Sequence, residues 1–157
     1  MNPTAILMEK WRSELQLQLL PPATELEIRE FERRQGVRLP DDLRDYYRAA
    51  NGFAPPDDQD QNGFCFWPLT RVCPVATFGS GDWSSADTKD CFLFADYLIL
   101  CWAYAFRLTA SSSSTPVCIV GTADGHPRWI ARDFREFVEL YVRDDERLYQ
   151  ANDPRPV

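Results

Sequence analysis

Histidine is almost missing from this chain: there is one, His126, in 157 residues. A triad built on imidazole has no other candidate. His126 sits in the turn "DGHPRW", and no G-x-S-x-G accompanies it. Glycine is scarce too, at seven. The "GSG" at 79–81 is not followed by Lys-Ser/Thr, so it is not a phosphate loop. Of the five cysteines, no two form a CxxC, and their gaps match no zinc pattern. They read as reduced thiols, with Cys91, Cys101 and Cys118 as small hydrophobes inside apolar runs. The calcium-loop spacing D-x-D-x-D-G is absent. The expectation is no metal and no cofactor. No run approaches the roughly 18 apolar residues of a membrane span. Glu9, Lys10, Arg12 and Glu14 break up the N-terminal apolar pattern, so no leader core forms. These absences read as a cytoplasmic protein without a membrane partner. A basic stripe is also missing, which argues against nucleic acid.

What the chain has is acid, placed unevenly. The net charge is −7. Residues 54–96 hold seven acids, Asp57, Asp58, Asp60, Asp82, Asp87, Asp90 and Asp96, against Arg71 and Lys89, a net of −5. Residues 1–53 and 97–157 each come to −1. Such a surface attracts a cationic partner and also keeps the protein soluble. Trp83, Trp67 and Phe53 flank these acids, and aromatic anchors ringed by charge suit protein interfaces. The partner-binding candidates are therefore Asp57, Asp58, Asp60, Asp82, Trp83, Asp87 and Asp90.

The pattern along the chain predicts an α+β fold. Leu7, Trp11 and Leu15 recur at helical spacing, so residues 3–19 read as a helix that "LLPP" stops. "TELE" is a capping box at Thr24, Ile28 and Phe31 follow as a buried stripe, and Gly36 ends that helix. Glu32, Arg33 and Arg34 read as its solvent side. Pro40, Asp41 and Asp42 begin a third helix with Leu43, Tyr46, Tyr47 and Ala50 on one face. Asn51-Gly52 reads as its stop. "FCFWPL" at 64–69 is a short strand, and 70–90 is a loop around one large apolar residue, Trp83. "CFLFAD", "LILCWAYAFRL" and "PVCIVGT" are strands on short turns, hence antiparallel. Asp96 reads as a hairpin-turn residue between the first two. "DFREFVELYV" is a closing helix with a capping box from Asp133 to Glu136. The expected architecture is N-terminal helices and a C-terminal helix packed on a mainly antiparallel sheet. It forms one domain over 1–157, with an N-terminal helix in 1–20 and a frayed tail at 150–157.

Taken in order, these pieces resemble the SUKH superfamily, the group of the SMI/KNR family. The resemblance rests on Ile28, Phe31, Glu32, Gly36, Leu39, Pro40, Asp42, Tyr46 or Tyr47, Asn51 and Gly52. Trp67 in "FWPL", Asp96 in "CFLFAD", and Phe134 and Phe137 in "DFREFVE" continue it, with Asp133 in place of the usual Ser cap. It covers about residues 20–142. Segment 98–107 departs from it by lacking the glycine-rich turn that often follows the "FAD" strand. The helix 3–19 and the acidic loops are this chain's own, and are where a particular partner would be chosen.

The resemblance implies a binding protein and not an enzyme. Many bacterial members look like immunity proteins, which block a cognate polymorphic toxin, often a nuclease, by direct binding. Nuclease toxins tend to be basic, and an acidic middle segment would steer toward them. The expected partner is thus a basic toxin domain, with the protein itself a monomer. The alternative within the family is a regulatory scaffold like the fungal cell-wall regulators. The alternative from another class is a small carboxylate-dependent hydrolase, although nothing singles out two of the many acids.

Overall fold

The structure is a computed structural model that describes residues 2–53 and 59–152. Helix α1 (Pro3–Glu9) starts where Asn2 accepts the Ala5 N–H at 2.8 Å and Pro3 fills the first turn. It ends earlier than its periodicity suggests. A π turn, Lys10–Glu14, widens the last turn, and Gln16 reverses the chain at φ 52. Residues 17–20 are then extended: Leu20 N–H donates to Gly52 O, and Leu19 bridges Phe53. The helix thus stops at the Gln16 reversal, ahead of "LLPP", and the pairing holds the segment that follows.

Helix α2 (Glu25–Gln35) has the expected capping box: Thr24 and Glu27 satisfy each other's backbone N–H. Gly36 closes it at φ 66. Glu32 does not face solvent. It accepts the Leu39 N–H at 2.9 Å and pairs with Arg44 at 2.6 Å, which fixes the turn into helix α3 (Asp41–Ala49). Leu43, Tyr46, Tyr47 and Ala50 are buried as one stripe. The stop at Asn51-Gly52 works differently from the expectation. Ala50 is already extended. Asn51 Oδ1 accepts the Leu69 N–H at 2.7 Å, and a Cβ on Gly52 would lie 2.4 Å from the Phe66 carbonyl oxygen. This pair docks the helix end onto the sheet.

The sheet has six strands: β1 (Phe64–Phe66), β2 (Cys73–Pro74), β3 (Cys91–Tyr97), β4 (Trp102–Arg107), β5 (Val117–Val120) and β6 (Arg128–Ala131). The order is β1-β3-β4-β5-β6, with β2 beside β1 on the same edge of β3, and every pairing is antiparallel. The fold is α+β, as the pattern predicts. The period-2 alternation makes two faces. Phe64, Phe66, Phe92, Phe94, Tyr104, Phe106 and Ile119 face the helices. Cys65, Trp67, Cys91, Leu93, Ala103, Ala105, Cys118 and Val120 face outward.

Two expectations for the sheet change. The run 98–108 is not one strand: Leu98–Cys101 is the hairpin turn and β4 begins at Trp102. Cys101 is accordingly exposed, whereas Cys91 and Cys118 are buried. Segment 70–90 is folded, with short 3-10 turns at Val75–Thr77 and Ala86–Thr88. Val75, Phe78 and Trp83 cover the outer face, where the buried residues of β4 are alanines.

Helix α4 (Phe134–Val142) closes the inner layer with Phe134, Phe137, Val138 and Tyr141 buried. Asp133 caps it by accepting the Glu136 N–H, but Glu136 reaches back to the Arg132 N–H and not to the cap itself. A 3-10 stretch, Glu146–Asn152, follows.

Candidate protein-binding surface

The acidic candidates divide sharply by burial. Asp57 and Asp58 lie outside the described residues. Asp60 belongs to the interior, with 4% exposure. Its Oδ1 accepts the Asn62 and Phe64 N–H groups at 2.8 and 3.0 Å, and its Oδ2 accepts Tyr141 O–H at 2.6 Å. Tyr141 O–H in turn accepts the Trp11 indole N–H at 3.0 Å. Burial first, then the Asp60 charge, push the Tyr141 phenol far above its ordinary value, so it stays a donor. The expectation of Asp60 as a partner contact is therefore corrected. A local run of aspartates looks like surface, but this one ties the 59–64 turn to α1 and α4.

Asp96 is likewise interior and lies within β3, not in a turn. The register slips between Leu93 and Ala95, so one extra residue is inserted opposite β4. That bulge turns Ala95 inward and aims Asp96 at the outer face. There its Oδ2 accepts the Trp67 indole N–H at 2.7 Å and its Oδ1 accepts the Leu100 N–H at 3.2 Å. Trp67 and Phe53 are both buried at 1% exposure, so neither is an exposed anchor.

Asp82, Asp87 and Asp90 are exposed on the segment that covers the outer face. Trp83 is half-buried among them, stacked on Phe78 at 5.4 Å and pressed against Gly121, where a Cβ would meet its ring at 2.9 Å. It fastens the acidic segment to the end of β5. The same contact brings in residues that the sequence pattern does not associate with these acids. His126 Nδ1 lies 3.9 Å from Asp87, and Asp124 accepts the His126 N–H at 3.0 Å. Asp124 thus joins the acids from a turn some 35 residues downstream. Its Asp-Gly turn was visible in the sequence, but its neighbour was not.

No three His, Cys, Asp or Glu side chains among the described residues converge on a metal-sized site. Among the described residues, no helix is long and apolar enough to cross a membrane.

The arrangement is thus helices packed on one face of an antiparallel sheet, with an acidic folded segment on the other. The family model for the SMI1/KNR4 family (SUKH-1) matches residues 22–140, and the chain belongs to that family. Its members are in general binding modules and not enzymes. No curated protein sequence matches the chain.

Proposed function

We propose that this protein is an immunity protein, which binds a cognate polymorphic toxin domain with a basic surface and blocks it. The observation that carries this reading is the outer acidic segment. Asp82, Asp87 and Asp90 are exposed and fastened down by Trp83, with Asp124 alongside. Lys89 is the only cation between residues 79 and 90. Fixed charges of one sign accelerate encounter with the opposite sign and discriminate against wrong partners. The exposed Asp87–His126 contact contributes little to folding, which leaves the acids available.

The test begins with the neighbouring gene. Its toxin domain, carrying an inactivating substitution, is titrated with this protein, and the active form is assayed for stoichiometric inhibition. The triple variant D82K/D87K/D90N, in which Asn tolerates the left-handed φ of 64 at position 90, is expected to fold normally and to associate at least about tenfold more slowly at low salt. An association rate that ignores both the variant and the salt would remove this surface from the interface. Weak binding to several unrelated basic proteins, without inhibition, would mark a scaffold instead.

A further inference from the structure

The β3–β4 hairpin closes against the preferences of its own residues. Leu98, Ile99 and Leu100 take the left-handed conformation one after another, at φ 47, 53 and 64. In that region Cβ crowds the backbone carbonyl, and Ile99 is β-branched. An Asn-Gly pair closes a hairpin without this cost. Yet the turn is held firmly. Leu98 N–H donates to Gly63 O at 2.9 Å, Leu100 N–H to Asp96 Oδ1 at 3.2 Å, and Cys101 N–H to Tyr97 O at 3.0 Å. Tyr97 and Trp102 stack at 4.5 Å beneath it, and Leu98 fills the space over Gly63. Strain of this kind persists only where the surroundings over-determine it, and it concentrates at binding and switch segments. What the strain delivers is exposed apolar surface: Ile99 at 80% and Leu98 at 46%. Leu100 turns the other way and packs on the outer-face cluster.

We propose that Leu98 and Ile99 form a preformed apolar plug that enters a socket on a basic protein partner. This rests on the immunity reading and names a contact within it. Charge selects the occupant. Asp60 and Asp96 are buried and internally hydrogen-bonded, so the exposed charge beside the tip is that of Asp144, whose partner Tyr149 packs edge-on against Tyr97 at 5.4 Å. An anionic bilayer would be repelled, and a second copy carries the same net −7. A protein with an apolar socket and a basic rim meets both the plug and the exposed acids Asp144 and Asp90, the usual anatomy of a binding hot spot. Asp90 precedes the other end of β3, about 20 Å from the tip at strand rise. One partner of standard footprint covers both ends.

The experiment compares wild type with Ile99→Asn and Ile99→Gly. Both substitutions tolerate φ 53 and remove the exposed side chain. Partner-free thermal melts are expected to show the Ile99→Asn midpoint raised by about 2–4 °C. Binding to the inactivated toxin domain from the neighbouring gene is expected to weaken at least about tenfold. A midpoint that stays put or falls means that Ile99 serves folding, and the plug is overturned. Wild type and variant binding that domain equally well overturns the plug and leaves the immunity reading standing. If wild type binds no such domain, the immunity reading falls and the plug loses its occupant. Tip-dependent dimers in sedimentation, or tip-dependent binding to phosphatidylglycerol vesicles, would overturn the proposal in favour of those occupants.

Discussion

At the scale of single residues, the decisive feature is a carboxylate placed where carboxylates rarely go. Asp96 is 3% exposed within a strand, one residue before its end. A buried charge is tolerable only when its oxygens are hydrogen-bonded, and here the Trp67 indole and the Leu100 amide do that. Asp96→Ala leaves the buried indole N–H without an acceptor. The expected loss is about 2–3 kcal/mol of unfolding free energy in urea. Trp67→Phe removes the donor instead, and the double variant should cost clearly less than the sum. Additive losses would mean that the pair is not coupled. Gly52 makes a second demand at this scale. Its φ of 82 and the 2.4 Å approach to the Phe66 carbonyl leave no space for a methyl group, because the obstacle is backbone. Gly52→Ala is expected to cost more than about 2 kcal/mol, read from the same denaturation curves.

At the scale of elements, two helix starts face each other. Asp42 opens α3 and Asp133 caps α4. Burial first, with the Leu43 N–H pulling the other way and the Asp133 charge adding to the rise, lifts the Asp42 carboxyl above the ordinary carboxylate value. The folded state therefore holds this proton more readily than the unfolded chain does. The resulting stabilisation is complete below the ordinary carboxylate value and is lost as pH rises through the raised one. Asp42→Asn keeps an acceptor for the Leu43 N–H and sheds the charge. It is expected to raise the urea midpoint at pH 7 and to lose that advantage near pH 3; an equal gain at both would rule out charge as the cause. The same level shows what was legible beforehand. The Thr24–Glu27 box, the Gly36 stop and the Asp133 cap were readable because each is local, written within four residues. The β-rich runs of β3 to β5 on short connections gave the antiparallel sheet, but not its two faces, because both sides of these strands are apolar. The bulge at Leu93/Ala95 was not readable, since it depends on which residue of β4 stands opposite. Asp60 misled for a similar reason: its partner Tyr141 is 81 residues away. The surface acids of segment 79–90 were identified from composition, but the plug at Leu98–Ile99 was taken for strand, because its residues are strong β-formers held in a turn.

For the molecule as a whole, the N-terminal helix looked like an accessory in which a partner might be chosen, and the family match begins only at residue 22. The packing places it at the centre. Leu7 and Trp11 are fully buried. The Trp11 ring meets Phe66 at 5.0 Å, Phe53 at 5.1 Å, Tyr46 at 6.0 Å and Tyr141 at 6.4 Å, all edge-on. It thereby joins β1, α3, α4 and the chain before the 59–64 turn. Its indole N–H also starts the hydrogen-bond path through Tyr141 to Asp60. Losing one such aromatic typically costs about 3–5 kcal/mol, against a total of roughly 5–15 for a domain. Trp11→Ala is therefore expected to unfold at a much lower urea midpoint while still folding in water. A chain truncated to begin at Pro21 loses Leu7 and Trp11 together and opens the inner aromatic layer. It is expected to lose its near-ultraviolet circular dichroism and to bind a hydrophobic dye, with helical signal partly retained. Should the truncated chain keep a cooperative thermal transition and its near-ultraviolet signal, α1 would be an appendage after all, and its buried face would be free to serve the partner.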